Sequence, residues 1–596
     1  MTPARHSPGE SAAPSAVSGA VGLGVGALLT FGPLEFSEAW FPIGPLRVTT
    51  TEALALFAVA LAALGLGLAW RYDRGLVERV RRRVAQPVAG LLLAFGLWAV
   101  ASGLWSSTAP IDAFKAGVRL LGGVGLGLLC LGFGGEAAFR RRTIGGLAVG
   151  LAAVTALGLG ERALGHELEP LLRWFRLEPT WMLGEQRLSS VFGHANTMAA
   201  YLELCLPLVL ALSLRARGAY RVAATAWSLA VVTGLALTYS RAGMIAGLLC
   251  LGYCATVGRR EGLRALHQRA GLLALALALS FLLNPDMRAR LGFEQRSYAV
   301  SYRVDSDCVG RPDAKVGVLV HVRNDGAWPL SNRQAPGELA VVRLPRDEAP
   351  SPADFTYQPL PAIDAGEGVT LTVAVTMPVG RKSVDVVVDI RRKDVLWLSE
   401  VGVEPAQFTC LVDDGSGVFE VEPLSYMRQF NHRPIEIGRS EYWRAAGLLF
   451  LERPWVGHGA DRFRQLYGRH VRSGAWDSRA RAHSVIMETA ANLGLVGLCL
   501  LLGVAVAVGR HFRRRRSAAS LPDAAARPTR LESEAAAAAR IETIALQAAV
   551  LAFAVHSLVD YFLAYTDILV VAWPILGLAL SDAPPPAESP EERQWP

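Results

Sequence analysis

Charge is what this 596-residue sequence has least of. Only 19% of its residues are Asp, Glu, Lys or Arg, against 52% hydrophobic, and the mean hydropathy is +0.30. Whole segments carry no charge, such as 86-QPVAGLLLAFGLWAVASGLW-105 and 493-LGLVGLCLLLGVAVAVG-509. A crossing of the bilayer takes about 20 apolar residues, whereas a buried core helix is shorter and keeps a polar face. An ordinary soluble protein is thereby excluded. Cysteine is also scarce, with seven in all. No CxxC pair and no HExxH stands in the sequence, and Cys250 and Cys254 lie inside an apolar run, so neither a metal set nor a cofactor is expected. The apolar segment after residue 17 lacks a small-residue cleavage site, so no cleavable signal peptide is expected. A continuous basic face is missing too. The net charge of +8 comes from short arginine clusters between apolar runs, which argues against a nucleic-acid partner.

Those clusters are Arg71 to Arg83, Arg140 to Arg142, Arg215 to Arg221, Arg259 to Arg269 and Arg510 to Arg516. Apolar patterning predicts twelve spans, near 18–34, 51–70, 86–105, 115–134, 142–160, 197–214, 221–238, 242–258, 270–284, 486–509, 541–558 and 562–580. With the N-terminus inside, every cluster falls on the cytoplasmic side, as the excess of Lys and Arg in inner loops requires. Residues 1–17 and 581–596 read as disordered, and 510–540 as a cytoplasmic connector with a helical end. The glycine-rich Gly22-Leu23-Gly24-Val25-Gly26 has no strand before it and reads as helix packing rather than a nucleotide loop.

Three regions then face outward: 161–196, a tight turn at 239–241, and the large loop 285–485. Within the loop, 296–412 alternates like strands, in 314-AKVGVLVHVRND-325, 337-GELAVVRLPR-346, 368-GVTLTVAVTMP-378 and 382-KSVDVVVDIRR-392. Turn signals separate these runs and predict a small β-sandwich. Cys308 and Cys410 bracket it and are placed to pair in an oxidising compartment. Residues 413–485 read as a helical outer loop. The expected fold is an α-helical polytopic membrane protein of about twelve transmembrane helices, 18–284 and 486–580, with an inserted outward β-sandwich-like domain.

Polar residues at the outer surface are few, and each one stands out. Arg241 sits at the junction of two short crossings with almost no loop to lift it into water, and an ionisable group at such depth points to function; the plainer reading is snorkelling to the head groups. In 187-RLSSVFGHANTM-198, Asn196 reads as a helix cap and Gly193 as a turn, which leaves Arg187 unexplained. In 481-RAHSVIMETAANLG-494, His483 lies at the membrane surface, and Ser484, Glu488 and Asn492 form a polar stripe at four-residue spacing below it.

These residues resemble the superfamily of O-antigen ligases, O-antigen polymerases and pilin oligosaccharide transferases. The resemblance rests on Arg187 with Gly193-His194-Ala195-Asn196; Ser240-Arg241-Ala242-Gly243; Arg439 with Tyr442-Trp443 and Pro454-Trp455-Val456-Gly457-His458-Gly459; and His483-Ser484 before Glu488 and Gly494-Leu495-Val496-Gly497. Ala195 departs from the usual Pro before Asn, and the β-rich insert is not part of the usual core. The resemblance implies a metal-independent glycosyltransferase in the bacterial inner membrane, its large loop in the periplasm. Such an enzyme moves a glycan from undecaprenyl diphosphate to a hydroxyl on a lipid or glycan acceptor. Arg187 and Arg241 would hold the diphosphate and His483 would act as base or phosphate donor. Gly193, Asn196, Ser240, Arg439, Arg481 and Glu488 would support them, Glu488 by orienting His483 across an awkward five-residue spacing. A polymerase extending the carrier-linked chain uses the same chemistry. A lipid-linked sugar transporter would show charges within several spans and an internal repeat, and a membrane-anchored binding protein would not need twelve spans.

Overall fold

The computed structural model describes residues 13–582, apart from 37–39, 44–45, 107–108, 177–179, 183–184, 284–297, 306–307, 327–328, 332–335, 345–353, 393–395, 402, 416–438, 471–479 and 520–529. Most of the expected disordered ends, 1–12 and 583–596, lie outside the described residues, as do parts of 413–485 and of the connector 510–540. Two units emerge. One contains residues 1–179, 188–283 and 437–596, and the other 180–187 and 284–436.

The first unit is helical. Its apolar helices are α1 (Ala13–Phe31), α2 (Thr50–Tyr72), α3 (Pro87–Ala101), α4 (Pro110–Phe133), α5 (Ala137–Leu164), α6 (Ala195–Arg215), α7 (Ala219–Leu237), α8 (Arg241–Arg260), α9 (Arg264–Leu283), α10 (Val485–Ala519), α11 (Arg530–Ser557) and α12 (Thr566–Leu580). Ten of these are long and apolar enough to cross a membrane, while α1 and α12 are apolar but shorter. By length and composition this is a polytopic membrane protein.

Local chemistry sets the helix ends. Thr49 and Glu52 form a reciprocal capping box at the start of α2. Ser240 caps α8 by accepting from the Gly243 N–H at 3.2 Å. The expected packing role of the glycine-rich stretch holds. A Cβ on Gly26 would meet the Arg142 carbonyl, and one on Gly22 the backbone of Phe139, so α1 and α5 touch through bare backbone.

The structure departs from expectation in several places. Residues 13–17 are helical rather than disordered. The third span ends in a short 3-10 turn, Ser102–Leu104, after α3 stops at Ala101. The last span begins at Thr566, because 558–565 form a non-helical turn around Asp560. Finally, α10 is broken at Gly494, whose φ is +66°.

The second unit carries the two larger sheets, besides a short strand pair, Thr180–Met182 with Glu185–Arg187. Their strands are β1 (Val300–Val304), β2 (Val309–Gly310), β3 (Lys315–Asn324), β4 (Gly337–Leu344), β5 (Phe355–Pro359), β6 (Gly368–Thr376), β7 (Ser383–Arg392), β8 (Leu396–Trp397) and β9 (Ala406–Val412). One sheet runs β6-β3-β1. The other runs β2-β9-β7-β4-β5, with β8 paired to β7. Val318, Val320 and Val373 from the first sheet share a core with Leu339, Val386 and Val388 from the second. The four alternating runs are β3, β4, β6 and β7. The other strands are shorter or less regular in their alternation and were not foreseen. Cys308 and Cys410 form a disulfide, with Cα atoms 4.6 Å apart.

Candidate functional site

One end of the helical unit gathers the polar groups. Two buried ties shape it. Arg176 binds Glu161 at 2.7 Å and Glu169 at 2.8 Å, and Glu161 in turn accepts the Ser190 N–H at 2.7 Å. The chain entering α6 is therefore clamped, and its Leu188 N–H reaches the Leu237 carbonyl at the end of α7.

His483 stands just before α10. Its Nδ1 lies 3.1 Å from Oδ1 of Asp560, a residue in the turn between α11 and α12. The other Asp560 oxygen accepts from the Asn196 side chain at 2.8 Å and faces Arg439 at 3.9 Å. Burial alone would raise the Asp560 pKa. The His483 hydrogen bond and charge, with His556 and Arg439, more than offset it and hold this carboxyl well below the usual carboxylate range. In the neutral imidazole, an ionised Asp560 makes Nδ1 the donor and leaves the lone pair on Nε2. The Tyr442 ring packs 5.5 Å from the imidazole. Between α6 and α11, Glu203 and His556 form a second, fully buried pair at 3.0 Å.

His483 has φ +49°, in the left-handed region that non-glycine residues avoid. So do Ser190, Tyr239 and Asp461, each in a turn at this end of the unit. Such backbone costs on the order of 1–3 kcal/mol per residue and persists where surrounding bonds hold it. Glu488 supplies that hold. Its carboxylate accepts the Ala482 N–H at 2.8 Å and faces Arg481 at 3.4 Å. Glu488 thus reaches the peptide before His483 rather than the imidazole, since one helical turn plus a sharp bend brings Ala482 over the carboxylate. Arg481 also binds Asp461. Burial opposes the Arg481 charge, but Glu488 and Asp461 outweigh it and raise its pKa.

Asn196 is not the cap of α6. The His194 side chain accepts the Asn196 N–H at 3.0 Å and takes that role, which frees the Asn196 side chain for Asp560. Gly193 is exposed, with nothing within 4 Å of where a Cβ would sit. Arg241, first residue of α8, is exposed. Arg187 belongs to the second unit, where it is buried on a strand paired with Thr180. Asn492 accepts the Phe463 N–H at 2.7 Å, so the polar stripe of α10 meets the 454–470 loop. Gly457 and Gly494 cross there, each within 2.6 Å of the other's backbone nitrogen if given a Cβ, and both have positive φ. An inner cavity beside these residues is lined by Arg119, Asp461, Arg481, Asn492 and Tyr561.

Residues 374–502 match the family model described as O-antigen ligase. The match supports membership of the O-antigen ligase superfamily. Members of this family are glycosyltransferase-like enzymes with lipid-linked glycans and acceptors as partners. The match takes in Arg439, the Gly457 crossing, Arg481, His483 and Glu488, and leaves Asn196, Arg241 and Asp560 outside it. No curated protein matches the chain. Among solved structures, a Pseudomonas fluorescens alkylpurine DNA glycosylase, AlkC, bound to DNA containing an abasic site analog, aligns at 11% identity and a TM-score of 0.13. That alignment covers 54% of this chain and 97% of that one, and a score so low carries no argument.

Asp560, Asp461, Glu203 and His556 escaped sequence reasoning. The available signal was slight. Asp560 follows His556 by four residues at the junction of two apolar runs, the same kind of position that singled out Arg241.

Proposed function

We propose that this protein transfers an oligosaccharide or polysaccharide from undecaprenyl diphosphate to an acceptor hydroxyl at the periplasmic face of the bacterial inner membrane, as an O-antigen ligase does. The observation that carries the reading is the His483–Asp560 pair at 3.1 Å, braced by Asn196 and Arg439. Nε2 of His483 takes the proton of the acceptor hydroxyl. The acceptor oxygen attacks the anomeric carbon, and the bond from that carbon to the diphosphate oxygen breaks with its electron pair on the diphosphate. Asp560 stabilises the imidazolium that forms. Arginine suits the leaving group, because guanidinium stays charged and grips phosphate oxygens in pairs. Arg241, exposed at the start of α8, and Arg439 are the candidates in the helical unit. The departing diphosphate is itself the driving group.

The test is glycan transfer in a deletion strain complemented with wild type, His483→Asn or Arg241→Ala at matched membrane levels. Asn tolerates left-handed backbone, so it preserves the turn. Wild type is expected to modify a lipid acceptor and both variants to fail. A lengthened carrier-linked chain would instead make the enzyme a polymerase. Full transfer by His483→Asn would sink the reading.

A further inference from the structure

The candidate site occupies one end of the helical unit. Between Asn196 and Arg215, α6 rises about 29 Å at 1.5 Å per residue, and at that far end a second space opens. A cavity of about 690 Å³ lies between the start of α5, the end of α6 and the first turns of α11. Pockets that take a ligand run to roughly 300–1,000 Å³. The charged groups lining it are Arg140, Arg141, Arg215 and Glu542, three cations against one anion. Arg140 is already committed. It is 4% exposed and donates to Glu542, to the Gly134 and Leu578 carbonyls at 3.1 and 3.4 Å, and to the Ser581 hydroxyl at 3.0 Å. The second Glu542 oxygen takes an N–H of Arg215 at 2.8 Å. Even so the arginines outnumber the carboxylate, and the surplus charge sits on Arg215, half exposed, and on Arg141, exposed. The rest of the lining is apolar. Ile144 and Ala148 stand one and two turns past Arg141 on α5, and Leu212 one turn before Arg215 on α6. From α11 come Ala535, Ala538 and Ala539, a face of small side chains that leaves the space open. Gly145 widens it, since a Cβ there would meet nothing within 4 Å.

We propose that this cavity holds an anionic phospholipid of the cytoplasmic leaflet, its phosphate against Arg141 and Arg215 and an acyl chain along Ile144, Ala148 and Leu212. The inference does not depend on the transferase reading. Both arginines belong to clusters whose place in the sequence assigns them to the cytoplasmic side, so the mouth lies at head-group level and the apolar wall at acyl-chain level. Basic pockets between helices on that side suit acidic head groups. A free phosphate would use the mouth and leave the apolar wall bare. A zwitterionic lipid would set its own cation against the arginines. The lipid fills the space that separates α5 from α6 and α11 at this end, where Arg140 and Glu542 join α5 to α11.

The test is native mass spectrometry of the full-length protein, delipidated in detergent and titrated with phosphatidylglycerol, phosphatidylcholine or glycerol 3-phosphate. Phosphatidylglycerol is expected to fill one saturable site at least tenfold more tightly than phosphatidylcholine, without competition from glycerol 3-phosphate. Arg141→Gln removes surplus charge at the mouth and is expected to weaken that site at least fivefold. Gly145→Leu fills the cavity and is expected to weaken it at least tenfold. Glycine has no side-chain bond to lose, so this variant separates loss of binding from loss of fold. Arg259→Gln removes an equal charge from the exposed end of α8, outside the cavity, and should leave the affinity within twofold. Equal binding of the two phospholipids would mean bulk lipid only. Competition by glycerol 3-phosphate would mean a phosphate site without a lipid. Unchanged affinity in Arg141→Gln and Gly145→Leu would put the lipid elsewhere. Each of these three results overturns the inference.

Discussion

Replacing Asp560 with Asn tests the proposed chemistry at its least obvious residue. The side chain is 7% exposed, and its two oxygens serve His483, Asn196 and Arg439. Asn has the same shape but offers one oxygen instead of two and no charge. If that oxygen stays with His483, the amide meets the Asn196 donor; if it turns to Asn196, an N–H confronts Nδ1 and forces the other tautomer. Either way His483 loses its base position or the anion that stabilises its protonated form. Positioned acid–base groups contribute about 10²–10⁴ in rate, and an Asp-to-Asn change in a His–Asp pair of another enzyme class costs up to about 10⁴. We expect kcat to fall 10²- to 10⁴-fold, about 3–5 kcal/mol at 1.36 kcal/mol per tenfold, with KM within about threefold. The assay is single-turnover transfer from the lipid-linked donor at matched folded protein. Because the two residues act as one unit, the His483→Asn, Asp560→Asn double variant should be little worse than either single variant. An Asp560→Asn enzyme with more than a third of wild-type kcat, folded normally, would refute the reasoning.

Other outcomes follow from the same geometry. Gly494→Ala places a Cβ within 2.6 Å of the Gly457 nitrogen at a positive φ and should cost at least about 3 kcal/mol, seen as loss of monodisperse protein in detergent. Glu488→Ala leaves the buried Ala482 N–H without its acceptor, a cost of about 1–3 kcal/mol, and frees the backbone at His483; transfer should fall even where folded protein is recovered. His458 is buried and its pKa is held below the ordinary value by that burial, against the Leu449 carbonyl and Glu452. The folded state then binds fewer protons than the unfolded one below the ordinary histidine pKa of about 6.5, so this contribution is present above it and lost as pH falls through the folded value. Thermal midpoints between pH 7.5 and 5 should drop less in His458→Asn than in wild type. Cys308→Ser opens a loop of 102 residues and, in the chain-entropy model, removes up to about 4–5 kcal/mol from the sheet domain, read as earlier proteolysis of that domain.

Much of this molecule was written in local composition. Apolar runs of about 20 residues have few fates in water, so the helices appear where the pattern put them, most of them shifted by a few residues at their ends, while α10 and α11 run on into the connector between them. Strict alternation likewise identified β3, β4, β6 and β7, because a strand with one buried face has a period of two. His483 stood out as a polar residue beside an apolar span. What surrounds His483 was not. Asp560 is 77 residues away, and only the packing of α6 against α11 brings its carboxylate between His483 and Asn196. Glu488 looked ill-spaced because helix periodicity does not foresee the left-handed turn that carries Ala482 over it. Gly457 and Gly494 read as ordinary turn and helix residues until two backbones meet through them. Periodicity reports which face of an element is apolar, since that depends on neighbours a few residues apart. Which polar groups meet depends on how helices cross, and that is decided by packing between residues far apart in the chain.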